Sequence, residues 1–171
     1  MKDNFEKSLK MILHHEGGFV NHRDDPGGAT NLGVTQAVYE GWVDAPVTVD
    51  DMKALTVADV TPIYKRNYWD RAKCDDLPSG VDFAVFDLCI NGGVGRGVKT
   101  LQKVVGVPQD GAIGPQTLGA VGRMDPEDII EQYAAEREAF YRRLKTFSTF
   151  GRGWLRRNEE TRVAALKMAG G

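Results

Sequence analysis

The sequence is poor in cysteine, with only Cys74 and Cys89 among its 171 residues. Two cysteines are too few for a disulfide framework, and their spacing does not form a C-x-x-C metal or redox motif. We therefore expect two reduced thiols, with a single disulfide between them as the alternative.

Long apolar runs and an excess of charge of one sign are also missing. Nowhere do about 18 apolar residues follow one another, so no transmembrane helix is expected. The first residues, MKDNFEKSLKMILHHEGG, are charged throughout and lack the apolar core of a signal peptide. We therefore expect a protein made in the cytoplasm that needs a separate release route to any outside target. The formal net charge of −2 gives no reason to expect nucleic acid as a partner.

Hydrophobic spacing indicates a mainly helical protein. Apolar residues recur at helical spacing from Phe5 to Leu13, which predicts an amphipathic helix over residues 4–15 that ends before a glycine pair. Residues 20–34 indicate an irregular loop, with which a short β-hairpin is compatible. Capping patterns predict further helix starts at Thr35, Thr48 with Asp51, Thr56 with Asp59, and Ser79 with Asp82.

The second half of the chain predicts longer helices. VDFAVFDLCI, residues 81–90, is almost continuously apolar and is followed by an asparagine and two glycines, as in a buried helix ended by glycine. A β-strand is the alternative for this run. We expect other helices over 94–105, from Pro126 to Phe147 and over 156–168, and a helix start or kink near Pro62.

Glu16 stands at the end of the first predicted helix, in the stretch HHEGGFVNHRDDPGGATNLG. At about 100° per residue, it falls within the arc of that helix's apolar residues. Desolvation disfavours an ionised carboxylate, which suits a general acid, and adjacent glycines let a bulky substrate approach. Asp24 and Asp25 follow in a polar loop and are expected to stay ionised. An acid and a base in unlike surroundings are typical of glycosidic bond cleavage.

Two other interpretations of this stretch compete. In the first, Glu16 pairs with Arg23 in a plain turn, and physical reasoning alone does not separate this from catalysis. In the second, a metal binds among the three histidines that flank Glu16. A zinc motif H-E-x-x-H would need histidine where Phe19 stands, so we expect no metal, and no cofactor is required.

Several longer stretches resemble one known family. EGGFVNHRDDPGGATNLGVT is similar to the N-terminal signature of glycoside hydrolase family 108, the N-acetylmuramidases found among phage endolysins and prophage-derived secretion activators. The similarity continues through YKRNYWD and VFDLCINGG, and GVKTLQKVVGVPQDGAIGPQTL resembles the peptidoglycan-binding module paired with that domain. The resemblance implies a lysozyme-like fold, with a catalytic part over residues 1–93 and a helical peptidoglycan-binding part over 94–171, packed together as one globular unit.

The resemblance also implies roles for particular residues. In that family the glutamate of the E-G-G motif is the catalytic acid, which here is Glu16. The spacing resembles that of phage-type lysozymes, E-x8-D-x5-T, but Glu16, Asp25 and Thr30 give E-x8-D-x4-T. The short last interval weakens the assignment of Thr30 more than that of Asp25. Asp24 competes with Asp25 as the second carboxylate, and Thr35 is a weaker candidate because a helix N-cap is expected there.

Aromatic and amide side chains near such a site could bind sugar. Trp42, Tyr64 and Trp69 are the aromatic candidates, although core packing is the commoner role of aromatic residues at helical spacing. Asn91, at the end of the apolar run, is expected to lie in the substrate groove. Asp87, one turn earlier, is expected to cap the helix or to form a buried pair.

The C-terminal end is locally cationic, with nine Lys or Arg against four acids from Glu136 onward. Such a run could attract anionic envelope polymers or lipopolysaccharide. A solvated helix face is the commoner explanation, and we favour it on sequence grounds.

These observations predict a peptidoglycan hydrolase that cleaves the β-1,4 bond between N-acetylmuramic acid and N-acetylglucosamine. Glu16 would protonate the leaving oxygen, and Asp25 would activate water or stabilise the oxocarbenium-like transition state. The expected partner is the glycan strand of the periplasm or cell wall, without nucleic acid or stable membrane insertion, and the protein is expected to be a monomer. The alternative is a non-catalytic peptidoglycan-binding or secretion-accessory protein.

Overall fold

The chain folds mainly into helices, and the structure, a computed structural model, describes residues 4–21 and 28–171. In chain order the elements are α1 (Asn4–His15), β1 (Thr30–Asn31), β2 (Val34–Thr35), α2 (Gln36–Val43), α3 (Val49–Lys53), α4 (Val57–Tyr64), a π-helical turn (Lys65–Trp69), a 3-10 turn (Cys74–Asp76), α5 (Val81–Gly92), α6 (Val94–Val104), α7 (Pro115–Val121), α8 (Pro126–Arg142) and α9 (Phe147–Ala169). The predicted fold class, mainly α with a short β-hairpin after the first helix, is confirmed. In these described ranges no helix combines the length and apolar character needed to cross a membrane.

The chain divides into two compact units. One contains Glu6–Asn67, and the other contains Tyr68–Gly171 together with the residues up to Phe5. The division predicted between residues 93 and 94 follows the loop between α5 and α6. In the structure α5 nevertheless packs against α6, α8 and α9, so the larger unit extends across that loop.

Helix α5 is the centre of the larger unit, and its residues from Val81 to Cys89 are all buried. Gly97 of α6 allows close helix packing, because a Cβ atom there would collide with the sulfur of Cys89. Cys74 and Cys89 are both free and buried, and burial raises the pKa of Cys89 to about 12. The thiols are therefore core groups in their protonated form.

A buried ionic network joins α5 to the last two helices. Asp87 accepts from Arg137 at 2.6 Å and from Arg157 at 2.9 Å, and the side chains of Asp87 and Arg137 are each 1% exposed. Thr161 Oγ1 donates to the same carboxylate at 3.2 Å. Burial acts to raise the pKa of Asp87, but the two guanidinium groups outweigh it and hold this pKa below its ordinary value. Asp87 thus forms the predicted buried pair.

Helix starts in the smaller unit follow the predicted capping patterns. Thr35 caps α2 by accepting from the backbone N–H of Val38, and Thr48 and Thr56 each form a reciprocal capping box with the aspartate three residues later. The helix start or kink expected near Pro62 is not a start, because α4 begins at Val57 and continues through the proline.

The cap predicted from Ser79 and Asp82 is wrong. Gly80, with φ of 86°, is the residue before α5, and Ser79 Oγ instead donates to the carbonyl of Met168 at 2.8 Å. Asp82 accepts from the backbone N–H groups of Gly80 and Phe83 at 2.8 and 2.7 Å. A partly buried tertiary contact to α9 therefore replaces the local cap.

The end of α8 also differs from the prediction. This helix ends at Arg142, five residues before the expected end, and α9 begins at Phe147 instead of residue 156. Neither glycine nor proline marks the turn at 143–146, whereas Gly151 and Gly153 lie inside α9. Packing of α9 along α8 outweighs the low helix propensity of those glycines.

We expect Asp87→Asn to lower the free energy of unfolding by about 3–5 kcal/mol at pH 7, because it leaves a buried arginine without its counter-charge. Folding lowers the pKa of Asp87. Its contribution to the free energy of unfolding is therefore complete above about pH 4 and declines as the pH falls further. Urea unfolding of the parent and of Asp87→Asn, at pH 7 and below pH 4, measures the difference in free energy of unfolding.

The matched control is Glu138→Gln, which removes a carboxylate from an exposed pair on the same helix as Arg137. This variant should unfold almost as the parent does. A difference between parent and Asp87→Asn that stays constant from pH 7 to pH 3 would contradict the electrostatic account.

Candidate functional site

A β-hairpin with a two-residue turn lies in the stretch after α1. β1 and β2 pair antiparallel, with Thr30 opposite Thr35 and Asn31 opposite Val34. The connecting residues, Leu32 and Gly33, both have positive φ, 50° and 74°. This is the pattern of a type I′ turn, whose twist matches that of paired strands.

The chain that leaves α1 returns to pair with this hairpin. Val20 and Thr30 exchange two backbone hydrogen bonds, each 2.8 Å long. Asn31 is buried and its amide donates to the carbonyl of Met52 at 2.9 Å, which attaches β1 to α3. The hairpin is therefore held on one side by backbone bonds to Val20 and on the other by the Asn31 side chain.

Glu16 lies against the turn of the hairpin. Its backbone N–H donates to the carbonyl of Ile12 at 3.1 Å, so it extends the last turn of α1. A Cβ atom on Gly33 would lie 3.0 Å from Glu16 Oε2. Glu16 is half-buried, so its carboxylate is less enclosed than the helical phase predicts.

The hydroxyl of Tyr64 lies next to the same glycine, Gly33. Its hydroxyl donates to the carbonyl of Leu32 at 2.9 Å, and a Cβ atom on Gly33 would collide with that hydroxyl. The Tyr64 side chain is buried, so it supports the turn from within the smaller unit and has little surface for a sugar. The sequence signal for this role was the glycine in N-L-G-V-T, between residues suited to strands.

The remaining catalytic candidates divide between the hairpin and the undescribed segment. Thr30 is half-buried in β1, and Thr35 caps α2, as predicted. Asp24 and Asp25 lie outside the described residues. The choice between these two aspartates therefore stays a prediction.

Trp42 lines a cleft of about 270 Å³ in the smaller unit, together with Val38, Gly41, Arg66 and Asn67. The guanidinium group of Arg66 lies 5.6 Å from the centre of the indole ring. The ring is half-buried and adjoins open space. An aromatic face beside amide and guanidinium donors is suited to a sugar.

Trp69 has a different environment from the one expected of a sugar platform. It is completely buried, its ring contacts those of Phe5 and Phe86, and its indole N–H donates to Asp75 at 2.9 Å. No ring face is left for a ligand, so the structure assigns Trp69 to the core. Helical spacing alone could not distinguish these two roles.

Asn91 is exposed at the end of α5, and its amide donates to the backbone carbonyl of Asp87 at 2.7 Å. This bond lies within the last turns of α5. The contact of Asn91 with substrate stays a prediction. Within residues 4–21 and 28–171, no group of histidine, cysteine and acidic side chains is arranged to hold a metal ion.

Comparison with known proteins gives two family matches in tandem. The model described as glycosyl hydrolase 108 matches residues 9–93, and a predicted peptidoglycan domain matches residues 96–159. A solved structure, that of Brucella abortus SagA, is 46% identical over 99% of this chain and 97% of its own, with a TM-score of 0.88. No curated protein matches the sequence.

The mainly helical fold with a short hairpin after the first helix is lysozyme-like. The chain belongs to glycoside hydrolase family 108 and carries a C-terminal peptidoglycan-binding module. These matches identify it as a peptidoglycan hydrolase.

We expect Gly33→Ala to lower the free energy of unfolding of the smaller unit by at least about 1–2 kcal/mol, the strain of a left-handed residue with a side chain. The collision with Tyr64 adds to this strain. Removal of the hydroxyl by Tyr64→Phe should therefore reduce the cost of Gly33→Ala, which urea unfolding of the two single variants and the double variant measures.

Gly41→Ala is the control, because Gly41 lies in α2 and no described atom comes within 4 Å of its added Cβ. That variant should be as stable as the parent or slightly more so. An equal cost of Gly33→Ala with and without the Tyr64 hydroxyl would show that backbone strain alone limits this position.

Proposed function

We propose that the protein is an N-acetylmuramidase that cleaves the β-1,4 bond between N-acetylmuramic acid and N-acetylglucosamine, with Glu16 as general acid. The observation that carries this proposal is the position of the Glu16 carboxylate against the hairpin turn, within the region matched by the family model. The enzyme would act as a phage- or prophage-type endolysin on peptidoglycan in the periplasm or cell wall.

The surroundings of Glu16 suit a general acid. On one side, Gly33 places the turn close enough to fix the carboxyl group. On the other, no described atom comes within 4 Å of a Cβ built on Gly17 or Gly18, so a bulky sugar has room to approach. A positioned carboxyl group with an open side can protonate the glycosidic oxygen as the bond breaks.

The proposed second carboxylate lies in the sequence between Val20 and Thr30, and these two residues pair with each other. Asp25 is our first choice and Asp24 the competitor. Either would activate water or stabilise the oxocarbenium-like transition state. The distance between this carboxylate and Glu16 decides between inversion and retention of the anomeric centre.

Trp42 and its cleft are proposed to bind a sugar of the same glycan. The indole ring offers an apolar face, and Arg66 and Asn67 offer hydrogen-bond donors to hydroxyl and acetamido groups. Such binding would position the strand without taking part in proton transfer.

We expect Glu16→Gln to fold as the parent does and to lose about 10²–10⁴-fold in turnover, because the amide cannot supply the proton. Purified peptidoglycan sacculi are the substrate, and released reducing ends are counted and identified by mass. Muramic reducing ends identify a muramidase, anhydro ends identify a lytic transglycosylase, and no release identifies the non-catalytic binding protein.

Glu6→Gln is the matched control, since it removes an exposed carboxylate from the same helix. A folded Glu16→Gln protein with the parent's turnover would exclude Glu16 as the acid. In the same assay Asp24→Asn and Asp25→Asn are compared, and the partner is the aspartate whose change lowers turnover more.

For Trp42→Ala we expect KM for soluble glycan chains to rise about tenfold with kcat nearly unchanged, as for the loss of one aromatic contact in binding. Trp42→Phe keeps a ring and should restore most of the affinity. An unchanged KM in Trp42→Ala would remove this cleft from the substrate path.

A further inference from the structure

The side chain of Lys53 lies at the end of α3, beside the hairpin that contacts Glu16. Its ammonium group is 5.6 Å from the centre of the Phe19 ring, and Phe19 follows Glu16 by three residues. The catalytic assignment and the Trp42 cleft use neither Lys53 nor Phe19. All four residues belong to the smaller unit.

Backbone pairing brings Phe19 and Lys53 to the same end of the hairpin. Val20 pairs antiparallel with Thr30, and one step along each chain places Phe19 beside Asn31. The Asn31 amide donates to two carbonyls at the end of α3, at 2.9 and 3.4 Å, and the second is that of Lys53. The end of α3 is therefore attached where Phe19 passes.

This end of the hairpin is close to the Glu16 carboxylate. That carboxylate lies next to Gly33, and Gly33 follows Asn31 by two residues. An extended chain rises about 3.3 Å per residue, so these two residues are at most about 7 Å apart along the chain. Lys53 is therefore attached to the hairpin near the bond that Glu16 would cleave.

The Lys53 ammonium group is positioned, yet it can still bind a ligand. Its side chain is 55% exposed and donates at 3.2 Å to Asp50, whose own side chain is 90% exposed. Such an exposed pair contributes little free energy and can be exchanged for another carboxylate. An ammonium group has three N–H donors, so it can also bind a second acceptor while it keeps the first. Attraction to the face of the Phe19 ring limits where the ammonium group moves.

We propose that Lys53 is a specificity-determining residue that binds a carboxylate of the stem peptide on the N-acetylmuramic acid next to the cleaved bond. Phe19 is a positioning residue, because it acts by holding the Lys53 ammonium group. The stem peptide branches from that sugar and carries free carboxylates, and an ammonium group forms a strong charge-assisted hydrogen bond with a carboxylate. This inference rests on the proposed function, because it names the part of the substrate that the same site would select.

A purely structural role for Lys53 is the competing interpretation. In that case its contact with Phe19 would only stabilise the chain after Glu16, and the charge of the substrate would not matter. The two interpretations therefore differ in how the effect of a change at Lys53 depends on the carboxylates of the substrate.

The experiment compares two forms of one substrate. Soluble glycan strands that keep their stem peptides are used either as prepared or after their carboxyl groups have been converted to methylamides. Released reducing ends give kcat and KM for the whole chain on each form. Thermal unfolding of every variant checks that the fold is kept.

Lys53→Gln should raise KM for native strands about two- to fivefold at low salt with kcat nearly unchanged, the effect of losing one partly exposed ion pair. Lys53→Glu should raise KM further, because it repels the same carboxylate, and Lys53→Arg should stay near the parent. High salt should reduce these differences. On methylamide strands all three variants should match the parent.

Changes at two neighbouring residues sharpen the test. Asp50→Asn removes the competing carboxylate and should lower KM for native strands only. Phe19→Leu should raise this KM less than Lys53→Gln does, and Phe19→Tyr, which keeps the ring, should have the parent value.

Lys7→Gln and Lys7→Glu are the matched controls, because they remove or reverse the charge of an exposed lysine on α1, nine residues before Glu16. Along a helix this separation is about 13 Å. Both controls should keep the parent's KM on either substrate. An effect of Lys53→Gln that is equal on native and methylamide strands, or absent on both, would overturn the proposal.

Failure of this inference and failure of the proposed function give different results. If the parent releases reducing ends and Lys53→Gln matches it on both forms, only the inference fails. If the parent releases none, NMR titration of the isotope-labelled chain with a peptide-bearing tetrasaccharide still tests the inference. The amide signals of Asn31 and Lys53 should shift with the native form and not with the methylamide form, and equal or absent shifts would exclude the Lys53 contact as well.

Discussion

The left-handed turn at Leu32 and Gly33 is the constraint on which the candidate site depends. Its second residue must lack a side chain, because Glu16 and Tyr64 both occupy the space where a Cβ would stand. The first residue offers the carbonyl that accepts from Tyr64. One backbone conformation thus sets the distance between the end of α1, the hairpin and α4, all within the smaller unit.

A different kind of constraint operates in the larger unit, where a buried charge must find its counter-charges. Asp87 in the fully buried part of α5 would be costly alone, and it is stable because α8 and α9 supply two arginines and a threonine. This requirement is specific: a slip of either helix by one turn would leave a buried charge unpaired. The network therefore selects one arrangement of α5, α8 and α9.

Local signals in the sequence predicted most of the fold, while contacts distant in sequence account for the differences. Capping at Thr35, Thr48 and Thr56 is decided by neighbours three residues away, and the prediction was correct at all three. The cap predicted at Ser79 was wrong because the Ser79 hydroxyl donates to the carbonyl of Met168, 89 residues later. At the candidate site, the motif indicates Glu16, whose catalytic role stays a proposal, whereas the support of the turn by Tyr64 depends on a contact between residues 32 positions apart.

The family boundaries and the physical units of this chain do not coincide, and the buried network explains why. The glycosyl hydrolase match ends at residue 93, after α5, and the peptidoglycan match begins at 96, in α6. Yet α5 packs against α6, α8 and α9, and the buried carboxylate of Asp87 is neutralised by arginines of α8 and α9. The last helix of the catalytic family region is thus stabilised by the helices of the binding module. The two family regions are therefore expected to be joined in folding as well as in sequence.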